Sequence, residues 1–190
     1  MAIWSVLGIC GSLRRNSYNA GLLRLAGRSN PSVSVVGEGL VGRLPLFNPD
    51  LDNDDDLPGA VAEFRSCADQ AEGVIIVSPE YAHGPSGVTK NAMDWLIGSG
   101  GLAGKPTLLM SASPGQAGGM RGHLALIPTL TLMGSVLVDS VTVSGAPSRA
   151  DARGDFTDPA VIERVRLSME EMATALSYSG QKKAASLLLE

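Results

Sequence analysis

The chain has 190 residues, of which 44% are hydrophobic, 18% charged and 4% aromatic. This composition is typical of a folded globular protein and lies outside the highly charged range of disordered chains. At roughly 150 residues per domain, the length predicts one domain over residues 1–190, large enough to be stable without disulfides or a structural metal.

Charge and cysteine content limit the expected partners. The net charge is -4 and no block of five basic residues occurs, so nucleic-acid binding is not expected. Apolar stretches such as residues 130–138 are shorter than the ~18–20 residues of a bilayer span, which predicts no membrane association. Cys10 and Cys67 fit neither a zinc-site spacing nor a disulfide framework. These features predict a cytoplasmic protein.

Apolar runs alternate with segments of helical periodicity along the chain. The predicted strands are Ile3–Ile9, Ser32–Val36, Gly73–Ser78, Pro106–Ser113 and Ser135–Val143. The predicted helices are Ser17–Arg28, Ala60–Ala71, 87–98, Met120–Met133 and Asp158–Tyr178, the last capped by Asp158. The segment Leu40–Pro58 is rich in Pro and Asp without any period, which predicts a long surface loop.

This alternation predicts an α/β fold with right-handed crossovers and a doubly wound parallel sheet. At this size the expected topology is flavodoxin-like, with five strands in the order 2-1-3-4-5. Ligands of such sheets bind at the carboxyl ends of the strands, where the strand order reverses. The loops after strands one, three and four meet there, and all three are rich in Gly, Ser and Pro.

The first of these loops, residues 11–19, lies between a strand and a helix start, where backbone amides and the helix dipole favour an anion. Ser12, Ser17 and Asn19 can donate hydrogen bonds to a phosphate, and Arg14 can add charge. The loop matches neither the Walker pattern nor G-x-G-x-x-G, so ATP hydrolysis and Rossmann-type dinucleotide binding lose their main support. A serine-capped helix start with solvated arginines is the alternative.

The second and third loops have the residues of a backbone-lined ligand site. Pro and Gly at both ends of Pro79–Ser86 predict a rigid loop whose amides edge a flat heteroaromatic ring. On the residues alone, Tyr81 and His83 are equally consistent with ligand contacts and with a plain surface loop. The glycines of Ser111–Gly119 allow close backbone approach to a ligand, or only a tight turn, and Arg121 can meet a second anionic group.

No metal site is predicted. Asp52, Asp54, Asp56 and Glu63 occupy EF-hand positions, but Leu57 stands where the sharp turn of that loop requires Gly. Two histidines and the absence of G-x-S-x-G likewise give little support to a serine hydrolase.

Taken in order, these motifs resemble the NADPH-dependent FMN reductase family, which has a flavodoxin-like fold and includes quinone, azo-dye and chromate reductases. The resemblance covers about residues 3–145 and is carried by GSLRRNSYN at 11–19, LPLFNPDL at 44–51, SPEYAHG at 78–84 with GVTKNAMDWL at 87–96, and SASPGQAGG at 111–119. It implies hydride transfer from NADPH or NADH to bound FMN, then two-electron reduction of a small acceptor such as a quinone, flavin, azo compound or chromate. Because the cofactor carries the chemistry, it implies no catalytic side chain.

The resemblance also implies a set of FMN-binding residues. Those expected around the phosphate are Ser12, Arg14, Ser17, Tyr18 and Asn19. Those expected along one edge of the ring are Pro79, Glu80, Tyr81, Ala82, His83 and Gly84, and those on the other side are Ser111, Ser113, Gly115, Gly118 and Gly119.

Three positions depart from the family pattern. Ala82 stands where many members have Asn, Pro85-Ser86 replaces the usual x-Pro, and Thr89 replaces a common Leu. The lost amide at Ala82 is expected to alter flavin affinity or potential, and the other two changes bear on the start of the next helix. Because family members commonly pack through that helix, here residues 88–97, a homodimer or homotetramer is expected.

A non-catalytic electron carrier like flavodoxin, or an interaction module without cofactor, is the alternative function. Flavodoxins usually have a Thr/Ser-rich phosphate loop and a strongly acidic composition. The arginines of residues 11–19 and the net charge of -4 favour the enzyme.

Overall fold

The structure is a computed structural model that describes residues 3–53 and 55–187, with side chains as far as residue 180. Asp54, considered above as a metal ligand, lies outside the described residues. The strands are β1 (Trp4–Cys10), β2 (Val33–Val36), β3 (Gly73–Val77), β4 (Glu80–Tyr81), β5 (Gly84–Pro85), β6 (Pro106–Ala112) and β7 (Val136–Val143). The α-helices are α1 (Tyr18–Ser29), α2 (Gly59–Gln70), α3 (Gly87–Ile97), α4 (Met120–Leu132) and α5 (Pro159–Leu187).

The main sheet has the strand order β2-β1-β3-β6-β7, and every neighbouring pair is parallel. This confirms the predicted doubly wound topology. β3 lies in the centre and is buried along its whole length, as its unbroken apolar run indicates. Side chains of α1 and α5 cover one face of the sheet, and those of α2, α3 and α4 cover the other. The loops after β1, β3 and β6 therefore leave the same edge of the sheet, beside the reversal in strand order.

Two predicted elements differ from the structure. The segment Leu40–Pro58, predicted as a long surface loop, contains two short 3-10 helices, Leu40–Arg43 and Pro49–Leu51. Leu40 and Val41 are buried in the core, which fixes the first of these helices.

The last helix begins as predicted, since the Asp158 carboxylate accepts a hydrogen bond from the Ala160 amide at 2.8 Å. It continues to Leu187, well beyond the predicted end at Tyr178. A Cβ at Gly180 would lie 3.0 Å from the Trp4 ring. This glycine therefore allows the helix to pack closely against Trp4, and the helix continues through it.

Within the described part of the chain, none of the helices combines the length and the apolar character that a membrane span requires.

Candidate functional site

The first loop begins against the start of α3. The Gly11 amide donates to the Val77 carbonyl at 2.8 Å, which extends the pairing of β1 and β3 by one bond. A Cβ at Gly11 would lie 1.9 Å from Thr89 Oγ1, so glycine is the residue that fits here. The backbone of this loop is therefore fixed from beneath, while Leu13, Arg14 and the next two residues are exposed.

The first loop ends at a helix start that suits an anion. Ser17 is buried and caps α1, with its hydroxyl accepting from the Ala20 amide at 3.2 Å. The first turn of α1 carries no acidic residue, so no side chain of the helix neutralises its positive end. The Arg14 guanidinium carbon lies 5.5 Å from the centre of the Tyr18 ring, which holds this arginine beside the helix start. Ser12, in the same loop, is half-buried.

Asn19 has a different environment from the other predicted phosphate ligands. Its carboxamide nitrogen donates to the Ala112 carbonyl at 3.0 Å, and its oxygen accepts from the Ala112 amide at 3.0 Å. The residue is only 5% exposed. The structure thus places the Asn19 side chain on the end of β6, where it joins the first loop to the third.

The second loop contains a small hairpin that the sequence did not predict. β4 and β5 pair in antiparallel, and the two turn residues, Ala82 and His83, have φ angles of 49° and 63°. A two-residue turn with positive φ at both positions is of type I′, which favours Asn and Gly. Ala82 therefore holds a conformation that alanine rarely adopts, and an asparagine there would be less strained. Tyr81, Ala82 and His83 are all exposed at the tip.

Glu80 anchors the hairpin to the start of α4. Its side chain is 12% exposed and lies 3.4 Å from His83 Nδ1. Its carboxylate accepts from the amides of Arg121 at 3.0 Å and Gly122 at 3.4 Å. Burial acts to raise the pKa of Glu80, but the His83 hydrogen bond and the two amides outweigh it and lower that pKa. The Glu80 carboxylate is thus occupied by contacts within the protein. In this loop, the backbone of Pro79–Gly84 is the part that a ligand can contact.

The third loop is a tight turn built around a buried serine. Ser111 is 0% exposed, and its hydroxyl donates to the Gly118 carbonyl at 2.6 Å. Gly119 has a φ of 101°, and a Cβ there would lie 2.2 Å from Ser111 Oγ. The Ser113 hydroxyl accepts from the amide of the exposed Gly115 at 3.1 Å. The sequence predicted Ser111 as a cofactor contact, whereas the structure gives its hydroxyl an internal role.

A buried set of hydroxyl groups joins the first loop to the second. Thr89 Oγ1 donates to Ser78 Oγ at 2.9 Å and lies 3.0 Å from Ser86 Oγ. Ser86 Oγ donates to the Gly11 carbonyl at 2.7 Å, and Ser78 Oγ donates to the Pro79 carbonyl at 3.2 Å. We call Ser78, Ser86 and Thr89 the hydroxyl relay. The sequence motifs did not identify it as a unit, although the Thr at position 89 was a signal.

The start of α3 is well formed despite the two departures from the family pattern. The Ser86 hydroxyl accepts from the Thr89 amide at 3.1 Å and so caps the helix. Lys90 and Asp94 form an ion pair on the exposed face of α3, as their spacing predicts.

The segment 44–51 is fixed to α3 by polar contacts. Asn91 accepts from the Phe47 amide at 2.7 Å, and its nitrogen donates to the Pro45 carbonyl at 2.9 Å. The indole nitrogen of Trp95 donates to the same carbonyl at 2.9 Å. These contacts hold the segment in place and leave Leu46 85% exposed.

The chemistry of these loops fits FMN. Serine hydroxyls, the Arg14 guanidinium and an uncompensated helix start fit a phosphate group. Gly118 and Gly119 are buried with positive φ angles, and a Cβ at either position would overlap the protein, so these glycines permit the tight turn that brings the third loop to this edge of the sheet. Among the residues that the structure describes, no group of three or more His, Cys, Asp and Glu is placed to hold a metal ion.

Comparisons with known proteins agree with this chemistry. Residues 4–148 match the NADPH-dependent FMN reductase family. A probable NADPH:quinone oxidoreductase of Oryza sativa subsp. japonica is 35% identical over 170 residues, which cover 85% of this chain and 86% of that protein. A quinone reductase of Escherichia coli K12 is 32% identical over 74% of this chain and 76% of its own length.

An NAD(P)H-dependent FMN reductase of Pseudomonas aeruginosa is 33% identical over 88% of this chain and 92% of its own length. Among solved structures, the flavoenzyme NAD(P)H:(acceptor) oxidoreductase FerB of Paracoccus denitrificans superimposes with a TM-score of 0.83 over 93% of this chain and 99% of that one. At 23% identity, this likeness shows the fold.

Proposed function

This chain belongs to the NADPH-dependent FMN reductase family, and on that premise we propose that its three loops bind FMN and leave it open to NAD(P)H and a small electron acceptor. The protein is an FMN-dependent NAD(P)H oxidoreductase. One observation carries the assignment of the site. The start of α1 has a serine cap, the neighbouring Arg14 and no acidic residue in its first turn, and it lies at the same edge of the sheet as the glycine-rich turn after β6.

The phosphate of FMN is assigned to the first loop. The first-turn amides of α1 have no partner within the helix, so those of Tyr18 and Asn19 can donate to phosphate oxygens. The hydroxyls of Ser12 and Ser17 add neutral donors, and the Arg14 guanidinium adds a charge-assisted hydrogen bond. The side chain of Asn19 acts by holding α1 to β6.

The ring is assigned to the space between the second and third loops. The backbone of Pro79–Gly84 edges one side, and Gly115, Gly118 and Gly119 close the other. Ser111 and Glu80 act as positioning residues, since their side chains fix these two backbones. The chemistry that FMN supplies when bound is hydride acceptance from NAD(P)H and two-electron transfer to the acceptor.

The acceptor, the assembly and the location are further parts of the proposal. Quinone reduction is favoured because relatives at 32–35% identity carry that activity in their names. We place the enzyme in the cytoplasm, without nucleic-acid or membrane partners, as a homodimer or homotetramer. The face of α3 with Lys90 and Asp94 supports a polar contact between subunits, because each residue can exchange its partner for that of a second copy.

An anaerobic titration tests the proposed function. The FMN-reconstituted protein is titrated with NADPH, and in parallel with NADH, while the absorbance of bound flavin is followed. Rapid, stoichiometric bleaching is expected, followed by reoxidation on addition of a quinone. Bound flavin that neither nucleotide reduces would indicate an electron carrier, and failure to retain FMN would contradict the proposal.

A further inference from the structure

The hydroxyl relay lies between the two loops that we assign to opposite ends of FMN. Ser78 and Ser86 are each 2% exposed, and Thr89 is 0% exposed. One end of the relay reaches the carbonyl of Gly11, which opens the first loop. Its other end reaches the carbonyl of Pro79, which opens the second. The relay thus connects the points from which both loops leave the sheet.

All three hydroxyl protons of the relay have acceptors inside the protein. Ser86 donates to the Gly11 carbonyl, Ser78 donates to the Pro79 carbonyl, and Thr89 donates to Ser78. A buried hydroxyl group that loses its partner costs free energy. The relay therefore favours the one spacing of the two loops at which all of its bonds form, before any ligand binds.

The first loop is closely packed against the hydroxyl relay. A Cβ at Gly11 would lie 1.9 Å from Thr89 Oγ1 and 2.7 Å from Ser86 Oγ. The first loop therefore rests directly on these two hydroxyl groups. Because Ser86 also caps α3 by accepting from the Thr89 amide, the position of the loop is fixed to that helix.

We propose that Thr89 is a positioning residue for FMN: by donating its hydroxyl proton to Ser78 and its amide proton to Ser86, it sets the distance between the backbone that binds the phosphate and the backbone that edges the ring. This inference rests on the proposed function and extends it.

The test compares three variants by the dissociation constant of FMN, measured from the quenching of flavin fluorescence by apoprotein. Thr89→Val removes the hydroxyl and keeps the shape, and Thr89→Ser restores the hydroxyl. Thr107→Val is the matched control, because Thr107 is also 0% exposed and bonds to Ser135 at 2.7 Å. It lies at the amino end of β6, on the opposite edge of the sheet.

Thr89→Val is expected to raise the dissociation constant about five- to tenfold, the effect of one lost hydrogen bond. Thr89→Ser and Thr107→Val are expected to stay within about twofold of the wild type. Both valine variants are expected to lower the melting temperature, so stability alone does not distinguish a positioning role from a structural one. The affinity for FMN distinguishes the two roles, because only Thr89→Val is expected to lower it.

A second measurement needs no cofactor. Amide hydrogen exchange in the apoprotein is expected to be at least about fivefold faster at Gly11 in Thr89→Val, because the loop loses its support. Thr107→Val is expected to leave this rate unchanged. If Thr89→Val does not fold, Ser78→Ala takes its place, with the same two expected results.

An unchanged dissociation constant in Thr89→Val, or an equal loss in Thr89→Ser or Thr107→Val, would overturn the inference. Faster exchange at Gly11 with unchanged FMN affinity would also overturn it, because the relay would then hold the loop without positioning the cofactor. Wild-type protein that does not bind FMN would overturn the proposed function together with the cofactor role of Thr89. That outcome is distinguishable, because every variant then fails alike.

Discussion

The two ends of the candidate site present different groups to a ligand. At the proposed phosphate end, exposed side chains, Arg14 among them, project from a backbone that is held from beneath. At the proposed ring end, the polar side chains of Glu80 and Ser111 bond to the protein, which leaves the backbone for contact with a ligand. The phosphate end should therefore depend on individual side chains, and the ring end on backbone shape.

The largest effect is expected from disrupting the tight turn at Gly119, at the ring end of the site. Gly119→Ala places a Cβ 2.2 Å from Ser111 Oγ at a φ of 101°. We expect a loss of about 3 kcal/mol in the free energy of unfolding, from strain and overlap together. Chemical denaturation measures it. Gly115→Ala is the control, since its Cβ would lie 3.6 Å from Ser113 Oγ; an equal loss there would contradict the account.

The phosphate end is tested by Arg14→Ala. We expect FMN binding to weaken by about 1.5–3 kcal/mol, the range for a hydrogen bond to a charged group. Isothermal titration measures it. Arg15→Ala removes an equal charge from the same exposed loop without the contact to Tyr18, and should lose under about 0.5 kcal/mol. Equal losses in the two variants would mean that net charge alone attracts the phosphate.

The buried His123 is expected to make the free energy of unfolding depend on pH. It is 1% exposed in α4, and its Nδ1 lies 2.8 Å from Ser140 Oγ. Burial lowers the pKa of the His123 imidazole below its usual value of about 6.5, against weaker opposing effects of the Met110 backbone and the Glu80 carboxylate. Below a pH of about 6.5 the unfolded chain therefore takes up the proton first, and stability falls as the pH drops towards the lowered pKa.

Denaturation between pH 7.5 and 5.5 measures this contribution, whose slope for one proton is at most about 1.4 kcal/mol per pH unit. His123→Asn should flatten the profile. An identical slope in His123→Asn and wild type would contradict the assignment.

The smallest effect is expected at Ala82, where it tests whether the backbone of the second loop is strained. Ala82→Gly relieves a φ of 49° and should stabilise the protein by about 0.5–1 kcal/mol. Ala125→Gly, on the exposed face of α4, should instead destabilise it by about 0.5–1 kcal/mol. A loss of stability in Ala82→Gly would contradict the assigned turn.

The sheet and the edge at which its three loops meet were predictable because both follow from patterns along the chain. The apolar run of Gly73–Val77 indicates a central strand, and the strand order follows from short right-handed connections. The carboxyl edge and its three loops follow from that order. The capping role of Ser17 was predictable for the same reason, since it depends on the next few residues.

The roles of several site residues were not predictable, because they depend on distant partners. Asn19 bonds to Ala112 and Glu80 bonds to the first amides of α4, and neither contact has a signal in the local sequence. The hydroxyl relay was missed because Ser78 and Thr89 are 11 residues apart, one after β3 and the other in α3, and meet only in the folded chain. The hairpin was missed because Ala82 and His83 do not have the composition of a type I′ turn.

The most direct test of the account compares FMN with riboflavin, which has the same ring and no phosphate, in wild type and in Arg14→Ala. We predict that wild type binds FMN at least about a hundredfold more tightly than riboflavin, since several charge-assisted bonds are lost together. Arg14→Ala should narrow that ratio and leave riboflavin affinity unchanged. Equal affinity for the two ligands in wild type, or an equal loss of both in Arg14→Ala, would contradict a phosphate site at the start of α1.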